Sequence, residues 1–498
     1  MLSVNLKLDT PKSKHKAALG LGTLMCALLS ACGGGGGPSY NTPMTNVPVV
    51  TNPTTPTTLP PSESLINLCK TPAPNTSDRQ GTKEQEKAYL RSFIDETYLW
   101  YRDVPQVNPA SYDTPQTYFD VLKTNKTTAS GRPVDEFHWS VTSESFDNQN
   151  QGIEEGYGIE WATAQSSPPR DWVVASLQPA APAGTMLKRG DKIKSVDGED
   201  FVSGENVDKL NEGLFPTKIA PHTIEVIRAG KVLSFTITPA LVETTPVRYT
   251  KVITTPTGKV GYIYFDDHIS KSEPMLIAAI NSLKAQGAQD LILDLRYNGG
   301  GLLSIASRLA YMIGGTQTTG KTFENLVYND KQSAQNDKWP FLSYASSDAG
   351  GADLPSLNFK KVSILVGGGT ASASEAIING LRGVDVEVTL IGGTTRGKPY
   401  GFVPQENCGW VYYAIQFKGE NNKGFSDFSD GFKPTCAVKD DFTKDLGDVT
   451  EARFAAALQY RETKTCPVSS GLVAGSKGGG LIEYQVAPKI AKQLMIPK

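Results

Sequence analysis

Ser372 stands in the run Gly367-Gly-Gly-Thr-Ala-Ser-Ala-Ser-Glu375, and Lys398 closes a second glycine-rich turn, Gly392-Gly-Thr-Thr-Arg-Gly-Lys398. A serine hydroxyl becomes a nucleophile only beside a base. Histidine is scarce: the chain holds only His15, His138, His222 and His268, none of them in this block. Lysine can serve instead, as a Ser–Lys pair. Its amine must then be neutral at working pH, which requires a desolvated pocket that lowers its pKa. The same residues fit a second reading. Ser372-Ala-Ser-Glu375 has the S-x-x-E form of a capping box, which opens a helix and performs no chemistry.

The flanking residues say how such a pair is positioned. Val362-Ser-Ile-Leu-Val366 is short, apolar and partly β-branched, the pattern of a buried strand. Ala376-Ile-Ile-Asn-Gly-Leu381 reads as an amphipathic helix. Ser372 therefore occupies a strand-to-helix turn, where backbone N–H groups lack partners and the helix dipole is positive. Val386-Glu-Val-Thr-Leu-Ile391 is a second apolar run. Adjacent parallel strands bring their following turns side by side, so Ser372 and Lys398 can meet.

Three blocks carry a family resemblance. Asp294-Leu-Arg-Tyr-Asn-Gly-Gly-Gly-Leu-Leu303 is similar to the DLRxNxGGLL strand-turn of the C-terminal processing (tail-specific) serine proteases. Val174 to Phe201 resembles that family's PDZ domain, and the serine block with its Gly-Lys turn completes the family's order over residues 85–460. The resemblance implies Ser372 as nucleophile, Lys398 as general base, and the N–H groups of Ala373 and Gly300 as an oxyanion hole. Such donors stabilise the charge of a tetrahedral intermediate. Many members carry Gln four residues after the lysine, to orient the amine; here that position is Phe402, and the nearest Gln is Gln405, with Pro399 and Pro404 bracketing the segment. The third member of the site is left open.

The implied fold is α/β (α+β overall): a crotonase-like ββα superhelix core, an inserted PDZ-like domain and an N-terminal helical region. Sites in such arrangements lie at the carboxyl ends of strands. The implied activity is that of a serine endopeptidase cutting exported or misfolded proteins near unfolded C-terminal tails, with no cofactor. Its partners are protein or peptide substrates with a free C-terminus. The alternative is a catalytically inactive protein on the same scaffold that binds peptides or apolar ligands, and Phe402 in place of Gln supports it.

The rest of the chain divides as follows. Residues 1–31 have a basic start and an apolar core, Ala17 to Leu29, too short to span a bilayer. The core ends in Leu29-Ser-Ala-Cys32, which resembles a bacterial lipobox and implies lipidation of Cys32. The run Gly33–Gly37 favours this over an ordinary signal peptide, because a tethered domain needs a flexible spacer. The expected location is the bacterial cell envelope, lipid-anchored to the outer membrane and facing the periplasm or the surface. Residues 32–64, Gly then Pro and Thr, read as a disordered stalk. Residues 65–150 read as the helical region, with a capping box at Thr82-Lys-Glu-Gln85 and a second helix after Pro115. His138 falls there without metal-ligand spacing and reads as structural.

Residues 151–245 are the PDZ-like segment. Gly156-Tyr157-Gly158-Ile159 resembles a carboxylate-binding loop leading into the strand that an extended peptide would extend. The alternative is a spacer whose groove is shut, and Glu154 and Glu155 beside the loop disfavour an anionic terminus. Residues 246–465 are the Ser–Lys core, with Asp294 and Arg296 read as structural charges, 316–358 as a polar surface insertion, and Val411 to Phe417 as one strand. Residues 466–498 form a C-terminal segment. Setting aside Cys26 and Cys32, four cysteines remain in an exported chain, so two disulfides are expected. Cys408–Cys436 and Cys69–Cys466 is the first pairing of the three possible. A net charge of −2 without a basic cluster points to no nucleic-acid partner.

Overall fold

A computed structural model describes residues 59–467 and 484–486. The leader, Cys32 and most of the stalk lie outside the described residues, as does most of the C-terminal segment. Within them, Ser62–Leu65 is already helical, and Ser62 N–H donates to Glu96 at 2.8 Å, so the last residues of the expected stalk pack onto the N-terminal region.

The centre is a six-stranded sheet in the order Val247–Thr255, Gly258–Phe265, Asp290–Asp294, Lys361–Val366, Glu387–Gly392 and Cys436–Ala437. The first pair is antiparallel and every later pair parallel. Strand periodicity of two sends alternate side chains to opposite faces. Ile263, Leu291, Leu293 and Ile364 meet the helices Ser272–Ala285, Leu303–Gly314 and Ala373–Gly383 on one face. Tyr262, Tyr264, Ile292 and Leu365 meet helix Ala452–Thr463 on the other. Helices cover both faces of the parallel strands, and all five residues of Asp290–Asp294 are buried.

A second sheet, antiparallel, runs Lys231–Ile237, His222–Arg228, Lys192–Val196, Asp171–Leu177, Ile159–Gln165 and finally Gln485–Val486. Helix Val207–Leu214 packs on it through Leu210 and Leu214. In the N-terminal region, Thr82 and Gln85 form the expected capping box for Lys83–Thr97. A five-residue helix follows at Pro115–Phe119, and Tyr89, Phe93, Tyr98 and Phe119 pack against Tyr412 and Ile415.

Three expectations need correction. Residues 316–358 are not merely a polar insertion: Thr322–Tyr328 is a strand between Asp337–Pro340 and Phe417–Glu420, and it buries Phe323 and Glu324. Val411 to Phe417 is not one strand. Trp410–Tyr413 pairs with Trp139–Thr142, whereas Phe417–Glu420 joins the other sheet, because the chain switches layers between them. The disulfides are Cys69–Cys408 and Cys436–Cys466, not Cys408–Cys436 and Cys69–Cys466. Cys408 turns beside the N-terminal layer, where Asn67 N–H donates to Asn407 Oδ1 at 2.7 Å. Cys436 lies in the central sheet beside Ile391, so the two cysteines belong to different layers.

Candidate active site

Ser372 caps the N-terminus of helix Ala373–Gly383 with φ +54°, a backbone conformation that side-chain-bearing residues rarely adopt. Such a conformation costs on the order of 1–3 kcal/mol and persists only where its surroundings enforce it. The enforcement comes from the 294–300 turn. Ala371 N–H and Ser374 Oγ both donate to Asn298 O, at 3.1 and 3.0 Å, and Thr370 Oγ1 donates to Leu295 O at 2.8 Å. Gly300, at φ +100°, comes so close that a Cβ there would lie 2.7 Å from Ser372 Cβ and 2.9 Å from Ala373 N. Only glycine fits that approach.

The lysine turn is tied to the serine turn by one carboxylate. Glu375, fully buried, accepts from Ser372 N–H at 3.1 Å and Lys398 N–H at 2.8 Å through one oxygen. Its other oxygen accepts from Thr395 Oγ1 at 2.5 Å and Gly397 N–H at 2.7 Å. Burial pushes this carboxyl up, and the four donors hold it down. The capping reading of Ser372-x-x-Glu375 thus holds for the glutamate. The same contact also docks the Lys398 segment, a role the sequence did not disclose, since its donors arrive more than twenty residues later.

Lys398 is 3 % exposed. Its Nζ lies 4.1 Å from the ring centre of Phe402, 4.9 Å from Phe137 and 5.6 Å from Trp139. Among the described residues it makes no ion pair. Burial lowers the amine to about 7, against smaller upward pulls from Asp135 and Glu375. Asp135 itself accepts from Tyr98 Oη at 2.6 Å and faces His138 at 3.5 Å, while His138 Nε2 meets Phe119 O at 2.9 Å. His138 is thus held by Asp135 and Phe119, and it also lines the cavity described next. Phe402, standing where a Gln was expected, presents a ring to the amine, and the Gln405 side chain donates to Glu406 O at 3.3 Å.

Ser372 and Lys398 line one cavity of about 540 Å³, together with Gly300, Ala373, Trp139 and Phe402. No hydrogen bond joins their side chains. Catalytic contacts are often long before substrate binds. Ala373 N–H opens its helix, where first-turn donors lack intrahelical acceptors. Gly300 N–H, by contrast, donates to Asn298 Oδ1 at 2.9 Å, so it is engaged rather than presented to the cavity.

The other candidates fall elsewhere. Gly156 ends the strand Ile153–Gly156, Tyr157 is buried with its hydroxyl on Gly213 O at 2.9 Å, and Gly158, at φ +71°, lies against Ala181. Ile159 opens a strand whose outer edge pairs with Gln485–Val486 at Thr163 and Ala162. Asp294 and Arg296 are fully buried and paired with each other and, through Arg296, with Asp440 and Glu451 at 2.9 and 2.8 Å. They brace the turn beneath the serine, as structural charges do.

Residues 259–416 match peptidase family S41, and residues 85–141 match the peptidase S41 N-terminal domain. The chain is 30% identical to a carboxyl-terminal-processing protease of Synechocystis over 44% of its own length and 47% of that protein. It is 28% identical to a carboxy-terminal-processing protease of Bartonella bacilliformis, over 44% of its length and 46% of that protein. It therefore spans about half the length of these relatives. A putative S41 protease from Bacteroides fragilis shares the fold with a TM-score of 0.59 and 22% identity, over 76% of this chain and 97% of that one. The chain carries the peptidase domain and the N-terminal domain of family S41, and C-terminal processing proteases are its homologues.

Proposed function

We propose that the chain is a serine endopeptidase in which Ser372 attacks the peptide carbonyl and Lys398 takes its proton, then delivers it to the leaving amine. The observation that carries this reading is the enclosure of Lys398. An amine with no counter-ion among the described residues, walled by three aromatic rings and lowered to about 7, is partly neutral at physiological pH. It shares a cavity with a serine held at a strained helix cap. In this reading Ala373 N–H receives the developing oxyanion, and Gly300 joins it only by releasing Asn298 Oδ1. The acyl-enzyme is then cleared by water, activated by the same amine.

The substrates we assign are unstructured C-terminal tails of exported proteins. Two disulfides suit an oxidising compartment, and the leader ending at Cys32 supports export and lipid anchoring in the bacterial envelope. The segment 151–245 is assigned as a PDZ-like module whose edge strand pairs at Ala162 and Thr163 with the chain's own Gln485–Val486. The test is incubation of the full chain with an unfolded protein, beside Ser372→Ala and Lys398→Ala. Cleavage by the parent alone supports the reading; equal cleavage by all three defeats it.

A second reading, a binding protein without catalysis, draws on the engaged Gly300 N–H and on Phe402. A fluorophosphonate separates the two, since it labels Ser372 only where that hydroxyl is activated.

A further inference from the structure

The cavity is lined by one buried acid that the proposed mechanism does not use. Glu324, on strand Thr322–Tyr328, lines the same space as Ser372 and is 7 % exposed. Among the described residues its carboxyl has neither a hydrogen bond nor an ion pair. Glu375, by contrast, has four donors, from Ser372 and the Lys398 turn. Space for the Glu324 carboxyl is made by Gly419, where a Cβ would lie 1.8 Å from Oε1. Gly419 N–H donates to Pro399 O at 2.9 Å, which fixes this floor to the segment that follows Lys398. Ala376, Phe417 and Phe428 make the surrounding walls apolar.

A carboxyl desolvated without a partner is unfavourable, and no element of the fold uses it. Apolar walls ending in an acid match a lysine or arginine side chain, whose aliphatic stem packs on apolar surface while its head seeks a charge partner. We infer that Glu324 is the specificity-determining residue of the substrate pocket and selects a basic side chain at the position preceding the cut bond. This rests on the proposed peptidase reading. Burial alone pushes the free carboxyl up to about 8. The empty pocket therefore holds a neutral acid, which releases its proton to solvent when a cationic head docks and an ion pair forms.

The test is binding, which does not depend on turnover. The full chain is titrated with acetyl-Ala-Ala-Lys and acetyl-Ala-Ala-Leu, read by tryptophan fluorescence, with Trp139 in the cavity wall. The lysine peptide should bind at least tenfold more tightly. Glu324→Gln should erase that advantage and change the leucine peptide's affinity by less than about threefold; Gly419→Ala, which displaces the carboxyl, should also erase it. Equal affinities, a preference for leucine, no binding of either peptide, or a lysine preference that survives Glu324→Gln would overturn the assignment. Glu136, Glu154 and Asp267 also line the cavity, so the variants assign a lysine preference to Glu324, while its absence in the unmodified chain overturns the assignment even where a variant does not fold. Should the chain bind the lysine peptide selectively yet cleave nothing, the peptidase reading fails while the pocket assignment stands.

Discussion

Lys398 in the cleft and Arg296 beneath the 294–300 turn are both sealed from water, yet their surroundings differ in kind. Asp294, Asp440 and Glu451 converge on Arg296, and although burial opposes its charge they hold it protonated. Around Lys398 there are ring faces and no ion pair among the described residues. A buried cation supplied with anions serves the fold. One deprived of them loses its proton near neutral pH, and can then exchange that proton with a substrate.

The comparison breaks first on activity. Ser372→Ala and Lys398→Met should each lower kcat by about 10⁴-fold or more, measured on an unfolded substrate; loss of less than tenfold in either would make the cleft a bystander. It breaks next on stability, in opposite directions. Arg296→Met takes the paired cation from buried Asp294 and Glu451, while Asp440 keeps Arg189 and Arg453, and should cost roughly 3–5 kcal/mol, visible as a lower Tm. Lys398→Met removes a charge that the folded state binds poorly. The folded amine titrates at about 7 and the unfolded one at about 10.4. Between those values the unfolded chain binds more protons, so stability rises with pH across that window. Below about 7 the full penalty, on the order of 4 kcal/mol, is present. At pH 6 the Lys398→Met protein should therefore melt no lower than the parent, and a fall like that of Arg296→Met would place both lysine and arginine among structural charges.

Smaller effects sharpen the contrast. Glu375→Gln turns an acceptor into a donor facing two of its donors, and should loosen the serine turn from the lysine turn. A displacement of about 1 Å can lower turnover about 10²-fold, so kcat should fall by up to that factor while the protein stays folded. Phe402→Gln replaces a ring face with an amide that solvates the ammonium. The rising limb of kcat/KM against pH, expected near 7 because the neutral amine is the active form, should then move up by one unit or less. An unmoved limb would show that the ring has no part in setting the amine.

Much of the site was readable because its parts are local. The strand Val362–Val366, the glycine turn and the helix behind Ser372 are encoded within twenty residues, as are the strand and turn that carry Lys398. What escaped depends on contacts between distant segments. Glu375 looked like a helix cap because its three partners in the Lys398 turn are twenty or more residues away. Glu324 sat in a stretch judged polar and superficial. Nothing local in Thr322-Phe-Glu-Asn-Leu-Val-Tyr328 shows that Gly419 of a partner strand leaves a hollow for that carboxyl. The disulfide pairing differs for the same reason: spacing along the chain does not show that Cys408 and Cys436 lie in different layers.

The most direct measurement is the titration of the Lys398 amine in the full chain, followed by NMR of lysine labelled at Cε and assigned with Lys398→Met. We predict a midpoint near 7, where burial among the rings, with no ion pair among the described residues, leaves it. A midpoint near the ordinary lysine value of about 10.4 would mean a charged amine at working pH, and would contradict its role as the base for Ser372.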